Sequence, residues 1–187
     1  VLGDQQSGNI SEIGFSLYSE MLESAIAEMK NNVKSTESFD ISLRSPIEVN
    51  IHLPALLPES YCPDVNERLI IYKRLANTKK SSEIDVIEDE LIDRFGSVPK
   101  ETKSLLLTHK FRQRAVPIGI KKLDVTRDGF TLIFNSNPQI KVEKLLALIN
   151  SSDDYQLLNQ NKIKVKQTTE TLENHLKNFK KFVQQVC

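Results

Sequence analysis

Apolar residues recur at three- and four-residue spacing near the start of the chain, where Ile10, Ile13, Leu17, Met21, Ala25 and Met29 fall on one stripe. That period predicts an amphipathic helix over residues 11–29, with Ser11 or Asn9 placed to cap it. From Asn31 to Pro46 the pattern dissolves into polar, aperiodic sequence, which reads as a linker. Alternation then begins. Ile47, Val49, Ile51 and Leu53 interleave with Glu48, Asn50 and His52, the signature of a half-buried strand closed by Pro54 and Pro58. Pro63 or Asp64 opens a helix carrying Leu69, Ile70, Tyr72 and Leu75. Lys79-Lys80-Ser81-Ser82 reads as a turn, with Ser82 and Asp85 resembling a capping pair.

The next helix turns Ile84, Ile87, Leu91, Ile92 and Phe95 inward and ends at Gly96. A third starts at Pro99, where a missing N–H does no harm, and runs to about Val116, with Pro117 set to end or kink it. Residues 120–127 and 130–135 flank Asp128-Gly129 as a hairpin. Asn137-Pro138 caps a helix through Leu145, Leu148 and Ile149. A second hairpin turns at Asn159-Gln160-Asn161. In the last helix Leu172, Leu176, Phe179, Val183 and Val186 step by four and three. This order predicts an α+β fold: a small, mainly antiparallel sheet built from hairpins, with helices packed on one face. Residues 1–46 are expected to form a helix and linker, and residues 47–187 the compact domain.

Composition narrows the function classes. Of 187 residues, 39% are hydrophobic and 27% charged, enough to bury a core and too ordered a balance for a disordered chain. Twenty-five bases against twenty-five acids argue against a large phosphate footprint. No apolar run approaches the roughly 18 residues of a membrane span, and no signal peptide is visible. These features suggest a cytoplasmic protein. Cys62 and Cys187 are the only cysteines; they read as two reduced thiols or, less in keeping with such sparse cysteine usage, one disulfide. The chain opens on Val1 and reads as a fragment of a longer protein.

Catalytic apparatus is scarce. Gly3 and Gly8 have the spacing of a phosphate loop, but Asn9 and Ile10 stand where Lys and Ser/Thr are required. His52, His109 and His175 are scattered, no Cys/His set has zinc spacing, and no serine lies in a nucleophile elbow. We therefore expect no catalytic residue, metal or cofactor. The run Glu88-Asp89-Glu90 offers paired carboxylates, although such a run on a helix is commonly a solvated face. Lys110, Arg112, Arg114, Lys121 and Lys122 flank Pro117 as a candidate basic surface, and Lys177, Lys180 and Lys181 mark the last helix. No aromatic stacking platform is interleaved with them.

The most informative stretch is Glu90-Leu91-Ile92-Asp93-Arg94-Phe95-Gly96. Glu90 and Asp93 share a helix face near its C-terminus, where the helix dipole disfavours carboxylates by ~0.3–1 kcal/mol each. Either Arg94 with Lys73 or Lys100 pairs them locally, or they face a partner.

Four motifs in order carry a resemblance: Leu53-Pro54-Ala55-Leu56-Leu57-Pro58, Pro63-Asp64-Val65-Asn66-Glu67-Arg68-Leu69, Tyr72-Lys73-Arg74-Leu75, and the Glu90–Gly96 stretch. Together they resemble the C-terminal (TRCF) domain of the bacterial transcription-repair coupling factor (Mfd) family. Leu2–Gly8 and Ile13–Tyr18 are similar to the segment that follows the motor of those proteins, and Pro117 departs from the family pattern. The resemblance implies an ATP-driven DNA translocase parent that displaces stalled RNA polymerase and recruits UvrA, its ATP and Mg sites lying in the motor. It implies a non-catalytic terminal domain that packs on an N-terminal UvrB-like module and masks its UvrA-binding surface. Glu90 and Asp93, with Arg94, fall on the contact positions. A nucleic-acid-binding accessory module is the alternative.

Overall fold

A computed structural model describes residues 47–187. The helix and linker expected over residues 1–46 lie outside the described residues. The elements are β1 (Glu48–Asn50), α1 (Val65–Asn77), α2 (Ser81–Phe95), α3 (Lys100–Ala115), β2 (Ile120–Thr126), β3 (Gly129–Phe134), α4 (Val142–Ser151), β4 (Tyr155–Asn159), β5 (Lys162–Lys166) and α5 (Leu172–Val186). The five strands form one sheet in the order β1-β2-β3-β5-β4. All pairings are antiparallel except β1 with β2, which is parallel and sets Glu48 opposite Lys122 and Asn50 opposite Asp124. The expected α+β class holds.

The sheet has one covered face. Phe130, Leu132 and Phe134 of β3 and Ile163 and Val165 of β5 are buried, while Thr131, Ile133, Lys162 and Lys164 between them are half-exposed. In β2 the buried positions are Ile120, Leu123 and Val125, an odd step that simple alternation forbids. The register shifts between Ile120 and Lys122, and this bulge at Lys121 absorbs the extra residue. The covering helices are α3 and α5, whose Phe111 and Phe179 rings lie 5.6 Å apart at their centroids. Phe130 meets Phe179 edge-on at 5.5 Å and Phe182 at 5.8 Å, the geometry aromatic pairs prefer.

A second cluster lies beyond the sheet. Ile71 and Leu75 of α1, Ile84, Ile87 and Leu91 of α2, and Leu105 and Leu106 of α3 bury one another with Leu57 and Cys62. α3 belongs to both clusters, because its Leu107, Phe111 and Ala115 turn to the sheet. The loop before α1 is tied down by long-range bonds. Leu57 N–H donates to Tyr72 Oη (2.8 Å), and Thr102 Oγ1 donates to the Leu56 carbonyl (3.2 Å).

Several expected boundaries move. The helix expected at Asn137-Pro138 starts at Val142 instead. Residues 135–141 are held as a non-helical connection by backbone bonds from Asn135 to Gly119, Gln139 to Ile118 and Lys141 to Val186. The cap of α2 is not the Ser82–Asp85 pair. Glu83 reaches back to the N–H groups of Lys79 (2.7 Å) and Lys80 (3.4 Å). Ile92, expected inward, is 45% exposed. The first hairpin turns at Arg127-Asp128, and Gly129 already pairs with Lys166. Its φ is 139°, and a Cβ there would lie 2.0 Å from the Val165 carbonyl oxygen, so strand approach rather than the turn requires this glycine.

Cys62 is buried, Cys187 is exposed, and both are free thiols. Among the described residues, no helix is long and apolar enough to cross a membrane.

Candidate interaction site

The antiparallel pair α1 and α2 holds the expected site. Asp64 caps α1 by accepting from the N–H groups of Asn66 (2.7 Å) and Glu67 (3.1 Å). Gly96, at φ 83°, closes α2 by donating to the Ile92 carbonyl (2.9 Å). Tyr61 Oη lies 3.0 Å from the Leu91 carbonyl and 2.9 Å from that of Gly96, so its one proton is shared between the last turn of α2 and the residue that caps it. Its ring packs against Phe95 at 5.7 Å. The last turn of α2 is thereby fixed on the α1 side.

Glu90 lies within a ladder of ion pairs across these two helices. Its Oε2 is 2.7 Å from Arg74 Nη2, and its Oε1 is 3.3 Å from Arg94 Nη1. Arg94 Nη2 continues the ladder to Glu67 Oε2 at 2.7 Å, and its guanidinium lies 4.9 Å from the Phe95 ring centroid. The Arg74 hydrogen bond, joined by charge from Arg94, holds the Glu90 carboxyl below its usual range against the opposing effect of burial. The hydrogen bond to Glu67 comes first among the causes that raise Arg94. The half-exposed Arg74–Glu90 pair contributes ~0.2–1 kcal/mol, and the guanidiniums offset the dipole penalty expected for Glu90.

The other acids of α2 divide sharply. Asp85 and Glu88 both reach Lys110 Nζ on α3, at 2.7 and 3.2 Å. Glu83 caps the helix. Asp89 and Asp93, four residues apart and exposed, make no ion pair or side-chain hydrogen bond among the described residues. Such a like-charge pair costs ~0.2–0.5 kcal/mol. Val86 shares their face and is 61% exposed. The surface thus combines two unmatched carboxylates with an apolar side chain beside a rigid ladder. It can receive a partner that presents Arg or Lys next to an apolar residue. Local pairing occurs at Glu90 through Arg94 and Arg74, while Asp93 remains exposed. Sequence reading missed Arg74, Glu67 and Tyr61, because only the fold brings these distant positions together.

The five candidate basic residues do not form one surface. Lys110 is pinned to α2, and Lys122 Nζ is 2.6 Å from Glu48 Oε1 on the neighbouring strand. Lys121 is exposed on the β2 bulge. Arg112 and Arg114 are half-buried, and burial lowers the Arg112 pKa.

The histidines differ from one another. His52 is exposed, at φ 54°, and its Nε2 meets Asp124 Oδ1. His175, expected at the surface or in packing, is 3% exposed. Burial first, then Arg112, pushes His109 down to about 4; burial lowers His175 as well. Both therefore fold as neutral imidazoles. The unfolded chain takes up protons first, so the His109 contribution is present above pH 6.5 and is lost as the pH falls toward 4. Denaturant titration should show stability falling by ~1–3 kcal/mol across that window. His109→Gln should flatten most of the slope. An unchanged slope in this variant would exclude His109 as its source.

Fold and surface together define an α+β domain that displays a rigid, charged helix face. Known proteins place it further. The TRCF domain family model matches residues 51–145. The Buchnera aphidicola transcription-repair-coupling factor is 42% identical over 148 residues, 79% of this chain and 18% of that relative. The Escherichia coli protein of the same name is 37% identical over 155 residues, 83% of this chain and 13% of that protein. For Bacillus subtilis the figures are 33% over 152 residues, 80% and 12%. A crystal structure of the C-terminal domain of transcription-repair coupling factor superposes with a TM-score of 0.61 at 17% identity, covering 74% of this chain and 90% of that one. The chain belongs to the TRCF domain family. It spans between 12% and 18% of the length of these three curated relatives.

Proposed function

We propose that this chain is the regulatory C-terminal domain of a transcription-repair coupling factor acting in nucleotide excision repair. Its role is docking, not catalysis, and it needs no cofactor of its own; ATP and Mg serve the parent motor. α2 packs its outer face on a basic surface of the parent's N-terminal UvrB-like module and so masks the site used by UvrA. Asp93, with Asp89 beside it, supplies the free charge. Glu90 and Arg94 fix the helix that presents it, and the Glu90 carboxylate can be shared between Arg74 and a partner cation. RNA polymerase and DNA are contacts of the parent.

One observation carries this reading. Of the six acids on α2, four are satisfied within the domain, and the two left over share a face. Interfacial charge pairs fix register and association rate as well as affinity, which suits a clamp that must open. In a titration of the 187-residue chain against the N-terminal module, Asp89→Ala/Asp93→Ala should weaken docking at least tenfold without lowering thermal stability. Equal affinity of variant and wild type would remove this face from the interface.

A further inference from the structure

Charge is segregated in a chain whose net charge is zero. α2 is acidic, whereas the helices behind it are basic: α3 carries five bases against Glu101, and α5 carries Lys177, Lys180 and Lys181 against Glu173. The 5.6 Å approach of Phe111 to Phe179 sets the end of α3 beside the middle of α5. Arg114 follows Phe111 by three residues and Lys180 follows Phe179 directly, so both flank that ring pair. Lys177, Lys180 and Lys181 share one side of α5 at spacings of three and four, with neighbouring Cβ atoms ~5–6 Å apart.

These cations are poorly compensated. The nearby acids Asp85 and Glu88 are already taken by Lys110. Arg114 Nε is buried without a hydrogen-bond partner, and Arg114, Lys177, Lys180 and Lys181 make no ion pair among the described residues. Burial, then the positive charges of Arg114, Lys110 and Lys177, lower the Lys180 pKa, with Asp85 the opposing charge. Three like charges within about one turn of α5, with Arg114 on the helix packed against it, suit an anion of high charge density. A DNA duplex offers one phosphate charge per ~1.7 Å of its axis, denser than a scatter of carboxylates on a folded surface.

We propose that the ridge formed by Arg114 of α3 and Lys177, Lys180 and Lys181 of α5 binds the phosphate backbone of duplex DNA without regard to sequence. The ridge differs from the basic run expected around Pro117, since it joins only one member of that run to α5. It has no aromatic side chain to stack on bases, so its affinity comes from counter-ion release and falls steeply with salt. It uses neither Asp89 nor Asp93 and does not depend on their docking role.

The test is anisotropy of a labelled 20-base-pair duplex titrated with the 187-residue chain at several salt concentrations. Micromolar binding at low salt is expected. Lys177→Gln/Lys180→Gln/Lys181→Gln should weaken it at least tenfold and reduce the salt slope by ~2–3, about 0.9 for each phosphate no longer neutralised. Because Lys180 is half-buried, Lys177→Gln/Lys181→Gln at the exposed pair is the second variant, with an expected slope change of ~2. Lys162→Gln/Lys164→Gln/Lys166→Gln removes the same charge from the open sheet face and should leave binding intact. Absence of binding at low salt, equal weakening by the sheet variant, or equally effective competition by polyglutamate would each overturn the proposal.

Discussion

Replacing Phe179 by alanine should lower the stability of this domain by ~3–5 kcal/mol, the usual cost of truncating a fully buried phenylalanine. The reason is position as much as size. Phe179 is 0% exposed, and its ring touches Phe111 of α3 and Phe130 of β3, so it joins both covering helices to the sheet. No single neighbour can collapse into the vacancy without leaving another. Against a total of ~5–15 kcal/mol for an ordinary domain, the loss should bring the thermal midpoint down by roughly 10–20 °C. Calorimetry reads it directly. A shift of only a few degrees would mean that the three rings do not carry the sheet cluster.

Asp93→Lys should have the largest effect on docking, at least a hundredfold, with little change in stability. The exposed side chain makes no ion pair among the described residues, so reversing its charge breaks nothing within them. In the proposed complex the same change sets like charges face to face, and like-charge juxtaposition costs several kcal/mol. Glu90→Lys would be a less clear probe, because it also repels Arg74 and Arg94 and loosens the two helices.

Local sequence carried much of this architecture. Element order, both hairpins and the last helix follow from period and turn chemistry, because each is written within a few residues. What escaped was set by distance. Asp128-Gly129 marked the hairpin, but the glycine answers to Val165 on another strand, so the turn falls one residue earlier. Steps of four and three after Phe179 select Val183, yet Phe182 fills the space beneath Phe130. β1 alternates as a strand should, and nothing in its residues names β2 as a parallel partner. At the site, Glu90–Arg94 follows from helical spacing, whereas Arg74 and Glu67 enter only once α1 lies against α2. Ile92 reads as core because hydrophobicity cannot say which side of a helix pair stays open.

The masking role can be measured in the intact parent by its affinity for UvrA, with and without Asp89→Lys/Asp93→Lys. If the outer face of α2 covers the UvrA-binding surface, the charge-reversed parent binds UvrA at least tenfold more tightly while its thermal midpoint stays within a few degrees of wild type. Unchanged UvrA affinity in a folded variant would contradict the account.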